Sequence, residues 1–406
     1  MIFTERRIFN LDMSPVLKKS NNNVELIAYK YYGIPSIIDL QLELKTFGCC
    51  RKVWNLMLSD KNNYYKEYKK NLDVSPSKYK KDYPYLKEID SLALANVQLN
   101  LDSAFSRFFK KKSRYPVFKS RKRSHKSYTT NALYIKKNDG TVFCNIELND
   151  LGNGFGTLKL PKHKDLIKLI MHRPVKAGGT LKSVTVSMDA DGKFYYSILM
   201  EYPKTECSKK IDADNCIGLD MSLPKLYVDS NGNSPKYPKP YRTVESRIAK
   251  IQKRMARKKR GSKNYEKEHQ KLAELYVRSK HQRSDFLHKL SCELTDTYDI
   301  IGIEDLDMSA MKRSLHFGKS VSDNGWGMFT TMLQYKADKK GKKLIKINKW
   351  FPSSKKCLKC GHIHKELKLS DRTYICPKCG NVMDRDYQAS INIKNEAKQY
   401  YLDSIA

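Results

Sequence analysis

The spacing of apolar residues separates β-forming from helical stretches in the first half of the chain. Residues 24–32 (VELIAYKYY) have the composition of a strand, and after Pro35 the apolar positions recur every three or four residues, which predicts a helix. A second helix with the same spacing follows. The two apolar stripes consist of Leu44, Phe47, Cys50, Trp54 and Met57, and of Leu94, Val97, Leu101, Ala104 and Phe108. Two such stripes facing each other predict a small helical bundle.

From Ser127 to Tyr202 the pattern becomes β-like. The segments VTVSM and FYYSILME alternate apolar and polar residues on either side of Asp191-Gly192, a pair that favours a hairpin turn. Because β-forming residues lie both before and after the two helices, the sequence predicts a β-domain that the helical bundle interrupts.

The second half alternates strands and helices, which predicts an α/β domain. CIGLDMSLPKLYVDSNG indicates two short strands ending at Asn231-Gly232, with Asp220 exposed near the end of the first. The further elements are a helix with Val244, Ile248, Ile251 and Met255 on one face, a break at Gly261-Ser262, a helix through Phe286, Leu290 and Leu294, a strand ending at Glu304, a helix over 329–339, a strand over 343–347 and a helix that begins at Asp386.

Composition adds a partner class to this outline. The chain has 406 residues, enough for two or three domains, and a formal net charge of +35 spread along its length. Such an excess favours a long polyanion, since each neutralised phosphate releases a counterion, and a merely soluble surface would not need it. We find no apolar run of membrane-spanning length and no signal-peptide pattern, so no membrane association is expected. The cysteines at 49, 50, 144, 207, 216 and 292 have no disulfide-framework spacing, which favours the cytoplasm, with nucleoid association when DNA is bound.

One basic stretch, KKKSRYPVFKSRKR, interleaves aromatic residues with cations. Lys and Arg can follow a phosphate backbone while exposed rings stack on unpaired bases. The nucleic-acid-binding candidates here are Lys110, Lys111, Lys112, Arg114, Tyr115, Lys119, Arg121, Lys122 and Arg123. A solvated linker is the alternative interpretation.

Two C-x-x-C-G pairs near the C-terminus form the most specific local motif. Fifteen residues separate Cys360 from Cys376, and the outer members of the two pairs are Cys357 and Cys379. Four thiolates at this spacing suit a structural Zn²⁺ ion closed to water. The alternatives are four buried free cysteines, or substitution of a ligand by His362 or His364, which we otherwise expect at the surface.

Three carboxylates, Asp220, Glu304 and Asp386, are each predicted at the end of a strand or the start of a helix. Clustered carboxylates repel one another unless a hard cation lies between them, and two Mg²⁺ ions about 4 Å apart support phosphodiester cleavage. Taken singly, Asp220 is also explained as a turn cap, Glu304 as a surface acid and Asp386 as a helix N-cap. The pattern alone leaves both interpretations open.

A series of ordered motifs gives the chain a family resemblance. They are KTFGCCRKVWN, LKEIDSLALANVQLNLDSAFSRFFK, SRYPVFKSRK, SVTVSMDADGKFYYSILMEY, GLDMS, IIGIEDLDMSAM, SVSDNGWGMF, FPSSKKCLKCG, YICPKCG and DRDYQASINI. In this order they resemble the TnpB family of insertion-sequence proteins, relatives of type V CRISPR effectors, over residues 24–395.

The resemblance implies a programmable DNA endonuclease. A transposon-derived guide RNA would pair with a double-stranded DNA target, and a RuvC-like, RNase H-type domain would cut it with Mg²⁺, two ions being expected. The family's catalytic acids fall on Asp220, Glu304 and Asp386, with Asp305 and Asp384 as supporting residues. Arg385 would be structural or would meet a phosphate.

The implied architecture is an α+β multidomain protein. A wedge β-barrel (1–36 and 117–208) is interrupted by a helical recognition domain (37–116), and a RuvC-like α/β nuclease domain (209–406) carries a zinc-finger insertion (355–382). The resemblance leaves a monomer and a weak dimer equally open.

By motif position, the residues expected to read a short DNA motif beside the target are Ser91, Leu92, Ala95, Thr129, Thr130 and Asn131. Some members are expected to have glutamine where this chain has Ala95, so its preferred motif is expected to differ. DMSLPK also replaces the commoner D-x-G-x-K, and DYQAS replaces D-x-N-A-A, although neither change removes a carboxylate. The alternative functions are a guided DNA-binding protein with weak or no cleavage and a transposase acting directly on transposon ends.

Overall fold

The chain divides into two compact units in a computed structural model, residues 1–205 and residues 206–406. The structure describes residues 24–122, 124–136, 141–204, 210–308, 311, 323–368 and 370–405. Each unit has a hydrophobic core of its own.

The first unit combines an antiparallel sheet with two long helices. Its strands are β1 (Val24–Ile34), β2 (Lys126–Asn131), β3 (Tyr134–Lys136), β4 (Val142–Cys144), β5 (Glu147–Gly152), β6 (Phe155–Lys159), β7 (Ile167–Ile170), β8 (Thr180–Met188) and β9 (Phe194–Pro203), and its helices are α1 (Ile37–Tyr68) and α2 (Ser91–Phe109). Seven strands pair in the order β2-β8-β9-β1-β7-β6-β5, and β3 pairs with β4. Both helices therefore enter the sequence between two strands of one sheet.

The predicted hairpin is confirmed between β8 and β9. Met188 pairs with Phe194, and Gly192 in the connecting turn has a φ of 84°, a conformation that glycine adopts without strain. Burial alternates residue by residue along β9, as the sequence pattern predicts for a strand with one face on the core.

The apolar stripe of α1 is confirmed except at its first position. Phe47, Trp54 and Met57 are buried, whereas Leu44 is 44% exposed. The buried position at that turn belongs to Glu43, which accepts a hydrogen bond from the hydroxyl of the buried Tyr196 at 2.7 Å. A hydrophobic pattern cannot assign a core position to a hydrogen-bonded acid.

A second buried acid attaches the start of α1 to the β-sheet region. The Asp39 carboxylate accepts hydrogen bonds from the backbone N–H groups of Lys164 at 2.9 Å and Asp165 at 3.0 Å. These charge-assisted bonds compensate for burying the carboxylate, and they fix the angle at which the helix leaves the sheet.

The second unit has the alternation of strands and helices that the sequence predicts. Its strands are β10 (Cys216–Ser222), β11 (Leu226–Asp229), β12 (Ile300–Glu304), β13 (Lys343–Ile347), β14 (Thr373–Ile375) and β15 (Val382–Asp384), and its helices are α3 (Pro240–Ala256), α4 (Lys263–Thr297), α5 (Trp326–Lys339) and α6 (Arg385–Ile405). The main sheet has the order β11-β10-β12-β13, in which β10, β12 and β13 are parallel.

Successive residues of each strand lie on opposite faces of this sheet. Leu219 of β10 and Ile303 of β12 belong to the core that also contains Leu287 of α4 and Phe329 of α5. The intervening residues of the same strands face α6 instead. The sheet is therefore covered by helices on both faces, as parallel strands require.

Two sequence-based expectations concern the whole chain. No helix among the described residues combines the length and apolar character needed to cross a membrane. No disulfide joins any of the described cysteines, while Cys207 lies outside the described residues.

Candidate functional site

Two glycines bring α6 directly onto the main sheet. Gly218 of β10 and Gly302 of β12 are register partners. A Cβ atom on Gly218 would lie 2.1 Å from the carbonyl oxygen of Ser390, and one on Gly302 would lie 2.6 Å from the Cβ of Ala397. Since real Cβ atoms do not approach that closely, only glycine at both positions permits this contact between helix and strands.

The three sequence-predicted carboxylates lie around the same contact. Asp220 follows Gly218 by two residues, and Glu304 follows Gly302 by two, so each acid lies on the same strand face as its glycine. Asp386 is the second residue of α6. The helix N-cap is Asp384, whose carboxylate accepts from the N–H of Tyr387 at 2.9 Å. The N-cap explanation for Asp386 is therefore wrong, and its carboxylate is left for another role.

Asp220 is the carboxylate that the charges of the other two affect. Burial raises the pKa of Asp220 well above its ordinary value, and the negative charges of Glu304 and Asp386 raise it further. The prediction that Asp220 is exposed is wrong, because its side chain is half-buried between the strands and α6. Burial also raises the pKa of Glu304, and a hydrogen bond from the Ser353 hydroxyl partly offsets this effect.

Burial and neighbouring negative charges raise these pKa values because little positive charge compensates the carboxylates. A bound cation would lower the pKa values again. Among the described residues, the four zinc-motif cysteines form the group of His, Cys, Asp or Glu side chains whose ligand atoms all lie within 4.8 Å of one another. The oxygen atoms of Asp220, Glu304 and Asp386 do not form such a group.

The residues around the carboxylates come from the segment that carries the cysteines. Ser353 donates its hydroxyl to Glu304, and Asn392 of α6 donates its side-chain amide to the Ser353 carbonyl at 2.7 Å. An Arg372 nitrogen lies 3.7 Å from an Asp386 oxygen. Sequence reasoning did not single out Ser353 or Arg372. The FPSSKKC motif was a signal for Ser353, whereas nothing in the sequence marks Arg372.

The near neighbours of the carboxylates are explained locally. Asp305 is an exposed acid whose carboxylate lies 3.6 Å from the ammonium of Lys346. Arg385 donates to the carbonyls of Lys368 at 3.2 Å and Asp371 at 3.0 Å, which favours the structural alternative for it. The amide of Asn324, in the predicted SVSDNGWGMF motif, donates to the carbonyl of Ser222 at 2.9 Å and so holds the end of β10.

The four cysteines have the geometry of a zinc site. The sulfur atoms of Cys357 and Cys379 lie 3.7 Å apart, and those of Cys360 and Cys376 lie 3.5 Å apart. Sulfur ligands on a tetrahedral zinc ion, with bonds of about 2.3 Å, are about 3.8 Å apart. His362 and His364 are outside this group. Four thiolates directed at one point fit a structural Zn²⁺ ion.

The basic stretch of the first unit is held against α1. The indole N–H of Trp54 donates to the carbonyl of Val117 at 3.0 Å, and Asn55 bonds both the N–H and the carbonyl of Lys119. The solvated-linker interpretation is therefore wrong for this part. The cations at 110, 111, 112, 114, 121 and 122 are exposed, as is Tyr115, whereas Arg123 lies outside the described residues. Lys119 is exposed as well, but its ammonium lies 3.8 Å from the Trp54 ring centroid, and desolvation there lowers its pKa.

Two of the six predicted motif readers are buried. Leu92 and Thr130 are buried, and the Thr130 hydroxyl donates to the Asp90 carboxylate, so these two side chains serve the fold. Ser91 is exposed, and Ala95, Thr129 and Asn131 are partly exposed. Thr129 lies in the wall of a cavity of about 90 Å³ between α1, α2 and β2, whose other polar walls include Arg51, Asn96, Asn100 and Lys126.

Three sequence profiles match the chain. Residues 197–315 match the OrfB_IS605 family, described as "Probable transposase", residues 41–70 match its helix-turn-helix domain, and residues 326–393 match the TNB domain of Cas12f1-like proteins. Residues 41–68 of the helix-turn-helix match lie within the single helix α1.

Individual relatives extend these matches. A Streptomyces pristinaespiralis protein, named by inference as an RNA-guided DNA endonuclease, is 33% identical over 375 residues, which cover 90% of this chain and 88% of the relative. The TnpB-like protein L770 of Acanthamoeba polyphaga mimivirus is 28% identical over 60% of this chain and 47% of its own. Cas12f1, solved with guide RNA and target DNA, has a similar fold, with a TM-score of 0.55 and 17% identity over 88% of this chain and 82% of its own. The resemblance seen in the motifs is thereby confirmed, and the chain belongs to the TnpB family.

Proposed function

We propose that this protein is an RNA-guided DNA endonuclease whose cutting site consists of Asp220, Glu304 and Asp386. The observation that carries the proposal is that these acids lie around the Gly218–Gly302 contact, where Glu304 and Asp386 raise the pKa of Asp220. The Streptomyces relative is named for RNA-guided DNA endonuclease activity, which supports the same function. In this proposal the second unit is the RuvC-like, RNase H-type nuclease domain.

Each carboxylate has a role that its surroundings support. The pKa of Asp220 is raised by both other acids, so its carboxylate would be the one that both cations share. Glu304 is oriented by the Ser353 hydroxyl, and Asp386 by the guanidinium of Arg372. Mg²⁺ bound by these oxygens would supply an activated water and stabilise the leaving oxygen of the phosphodiester. The protein would hold the acids at a fixed separation, and the bound cations would keep them ionised.

In the same proposal the first unit contains the wedge barrel and the recognition helices. Its sheet and the inserted α1 and α2 would hold the guide RNA and the DNA duplex, mainly through phosphates, because base pairing supplies the sequence information. The small cavity beside Thr129 offers amide and cationic groups of the kind that read base edges. We propose Ser91, Ala95, Thr129 and Asn131 as the motif readers.

The test begins with the RNA that copurifies with the protein. Sequencing this RNA gives scaffold and guide, and a plasmid library with a guide-matched target and randomised flanks then reports both cleavage and the flanking motif. We expect cleavage with added Mg²⁺ and none when no divalent ion is added. Asp220→Ala, Glu304→Gln and Asp386→Asn should each reduce it by at least a thousandfold, whereas Asp305→Ala, at an exposed acid beside Glu304, should retain it.

Two other outcomes would redirect the proposal. Guide-dependent binding without cutting in the wild type would identify a guided DNA-binding protein, which retention of all three acids disfavours. A strand-transfer product formed without RNA would identify a transposase, the activity for which the OrfB_IS605 family is named. Absence of any discrete copurifying RNA would remove the guided part of the proposal.

A further inference from the structure

The first unit contains an aromatic cavity that the proposed cutting site does not use. Its volume is about 410 Å³, within the range of small-ligand sites. It lies between the C-terminal half of α1, the segment that follows that helix, the last turns of α2 and Tyr115. Its aromatic walls are Tyr65, Phe105, Phe108, Phe109 and Tyr115.

The rings are fixed in place although several remain open to water. Phe105 and Phe109 are stacked with centroids 6.4 Å apart, and Tyr115 stands edge-on to Phe108 at 5.1 Å. The Tyr115 hydroxyl donates to the side-chain oxygen of Asn62 at 2.5 Å. Phe109 is nevertheless 65% exposed and Tyr65 is 54% exposed. Exposed rings around a preformed cavity indicate a binding site for a flat, apolar group.

The polar groups of the cavity limit what this group can be. The Lys61 ammonium lies 3.2 Å from the Asp102 carboxylate, so the one acid of the wall is already neutralised. Asn71 and Ser106 add hydrogen-bonding groups to the same wall. A flat ring with polar edges matches this combination better than an aliphatic chain does.

The segment that joins Phe109 to Tyr115, two of the cavity's aromatic walls, is cationic. Lys110, Lys111, Lys112 and Arg114 follow Phe109 directly, all four are exposed, and no ion pair joins any of them to another described residue. A positive φ of 56° at Lys111 turns the chain immediately after α2. A ligand whose ring enters the cavity would therefore have its anionic part beside these side chains.

We propose that this cavity binds an unpaired base of a nucleic-acid strand whose phosphates lie along Lys110–Arg114. Stacking on exposed aromatic rings and contact of the backbone with cations are the two parts of single-strand recognition, and both occur here within one short segment. The ligand class is a single-stranded segment of RNA or DNA. The proposal shares with the proposed function a nucleic-acid partner, but it does not depend on cleavage.

Binding of fluorescent oligo(U) and oligo(dT) of about 20 nucleotides to the full chain, in EDTA and over a series of salt concentrations, tests the cavity. Phe109→Ala and Tyr115→Ala should weaken binding by roughly fivefold to a hundredfold, the range for one lost stack, with an unchanged salt dependence. Lys112→Ala should instead reduce the salt dependence. The control is Phe118→Ala, since Phe118 is a comparably exposed ring of the same basic stretch outside the cavity.

A second measurement locates the base. Oligonucleotides with 5-iodouridine or 5-iododeoxyuridine should crosslink on irradiation to peptides containing Phe109 or Tyr115. The oligonucleotide that crosslinks more efficiently shows whether the cavity prefers RNA or DNA. Thermal melting of each variant reports whether it is folded, and Tyr115→Phe, which keeps the ring, should bind normally. Equal affinities for the Phe109→Ala and Phe118→Ala variants, with crosslinks only elsewhere, would overturn the proposal.

Two further outcomes separate the cavity from its neighbouring hypotheses. A wild-type dimer that Phe109→Ala dissociates, without loss of oligonucleotide binding, would overturn the proposal and identify the rings as a contact between copies of the chain. If the wild type cleaves under guide control but the cavity variants bind oligonucleotides normally, the cavity proposal is rejected and the proposed nuclease function stands. If the wild type does not cleave but the cavity variants bind oligonucleotides weakly, the nuclease function is rejected and the cavity proposal stands.

Discussion

Gly218 and Gly302 face each other across two parallel strands, and both lie against α6. On Gly218 the nearest atoms are the backbone atoms of Ser390 and Lys394, so the helix backbone itself forms the contact. The distance from the sheet to Asp386, at the start of that helix, is consequently set by the backbones of helix and strands. Asp220 and Glu304 are two residues farther along the same strand faces.

Gly302→Ala should displace α6. The added Cβ would meet the Cβ of Ala397 at 2.6 Å and the carbonyl oxygen of Ile393 at 3.0 Å. Overpacking of this kind typically costs about 1–3 kcal/mol, so we expect a lower melting temperature for the second unit. The cleavage rate should fall to about one-hundredth even where the variant is fully folded, because a shift of about 1 Å in a positioned group has that effect.

The double variant Gly302→Ala/Ala397→Gly removes the closest atom and should recover part of both losses, which a double-mutant cycle would measure. Gly327→Ala is the control, since Gly327 lies in α5 with its nearest neighbour atom, on Met308, 4.0 Å away. Unchanged melting and cleavage for Gly302→Ala would refute the proposed role of the glycine contact.

Asp220→Asn should stabilise the metal-free protein while abolishing cleavage. Because the pKa of Asp220 is raised in the folded state, folding favours its protonated form, and stability falls as the pH rises from the unfolded-state pKa through the folded-state pKa. A neutral amide does not have this cost, so the variant should melt higher near pH 8. The gain should disappear at a pH low enough to protonate Asp220 in both states.

Mg²⁺ provides the complementary measurement for Asp220. Binding to the folded wild type alone should raise its melting temperature with increasing Mg²⁺, whereas the Asp220→Asn variant should respond much less. If Mg²⁺ shifted the melting of both proteins equally, the ion would bind elsewhere and the assignment of Asp220 would be wrong.

Ser353→Ala should move the pH dependence of cleavage toward alkaline pH. Burial raises the pKa of Glu304, and the Ser353 hydroxyl counteracts this by hydrogen bonding to the carboxylate. Without the hydroxyl the pKa rises further, so less Glu304 is ionised at a given pH. The rate measured from pH 6 to 9 should show an acid limb displaced upward, and Ser353→Thr should restore it. A uniform loss at every pH would indicate a role in folding only.

The sequence predicts the elements of the second unit well because its signals are local. Strands β10, β12 and β13 are short apolar runs, and parallel pairing brings the ends of β10 and β12 together. The carboxylates at those ends could therefore be picked out before the structure. The signal for the zinc site is equally local, since two short cysteine pairs define it.

Other features depend on contacts that no local pattern contains. Glu43 occupies a core position because Tyr196, far along the chain, donates to it. Arg372 reaches Asp386 because β14 pairs with β15, which places residue 372 beside the first residues of α6. The aromatic cavity likewise requires α1, α2 and Tyr115 to meet, although the sequence did indicate the basic and aromatic character of that stretch.

Removal of zinc should disable cutting without preventing nucleic-acid binding. Arg385, at the start of α6, is bonded to the carbonyls of Lys368 and Asp371 in the loop between the two cysteine pairs. Loss of the ion would release this loop, and with it the Arg372 contact to Asp386. We expect one zinc ion per chain by elemental analysis, and Cys379→Ser should lose both the ion and cleavage. Oligonucleotide binding should persist, because the basic stretch belongs to the other unit.

Cys292→Ser is the matched control for the zinc experiment, since Cys292 is an exposed cysteine of α4 outside the group of four. It should retain zinc and cleavage. Treatment of the wild type with a zinc chelator should reproduce the Cys379→Ser result, and activity should return with added Zn²⁺ but not with Mg²⁺ alone, since the four thiolates suit the softer ion and the carboxylates the harder one. Equal activity of the Cys379→Ser and Cys292→Ser proteins would show that the cysteine motif does not position Asp386.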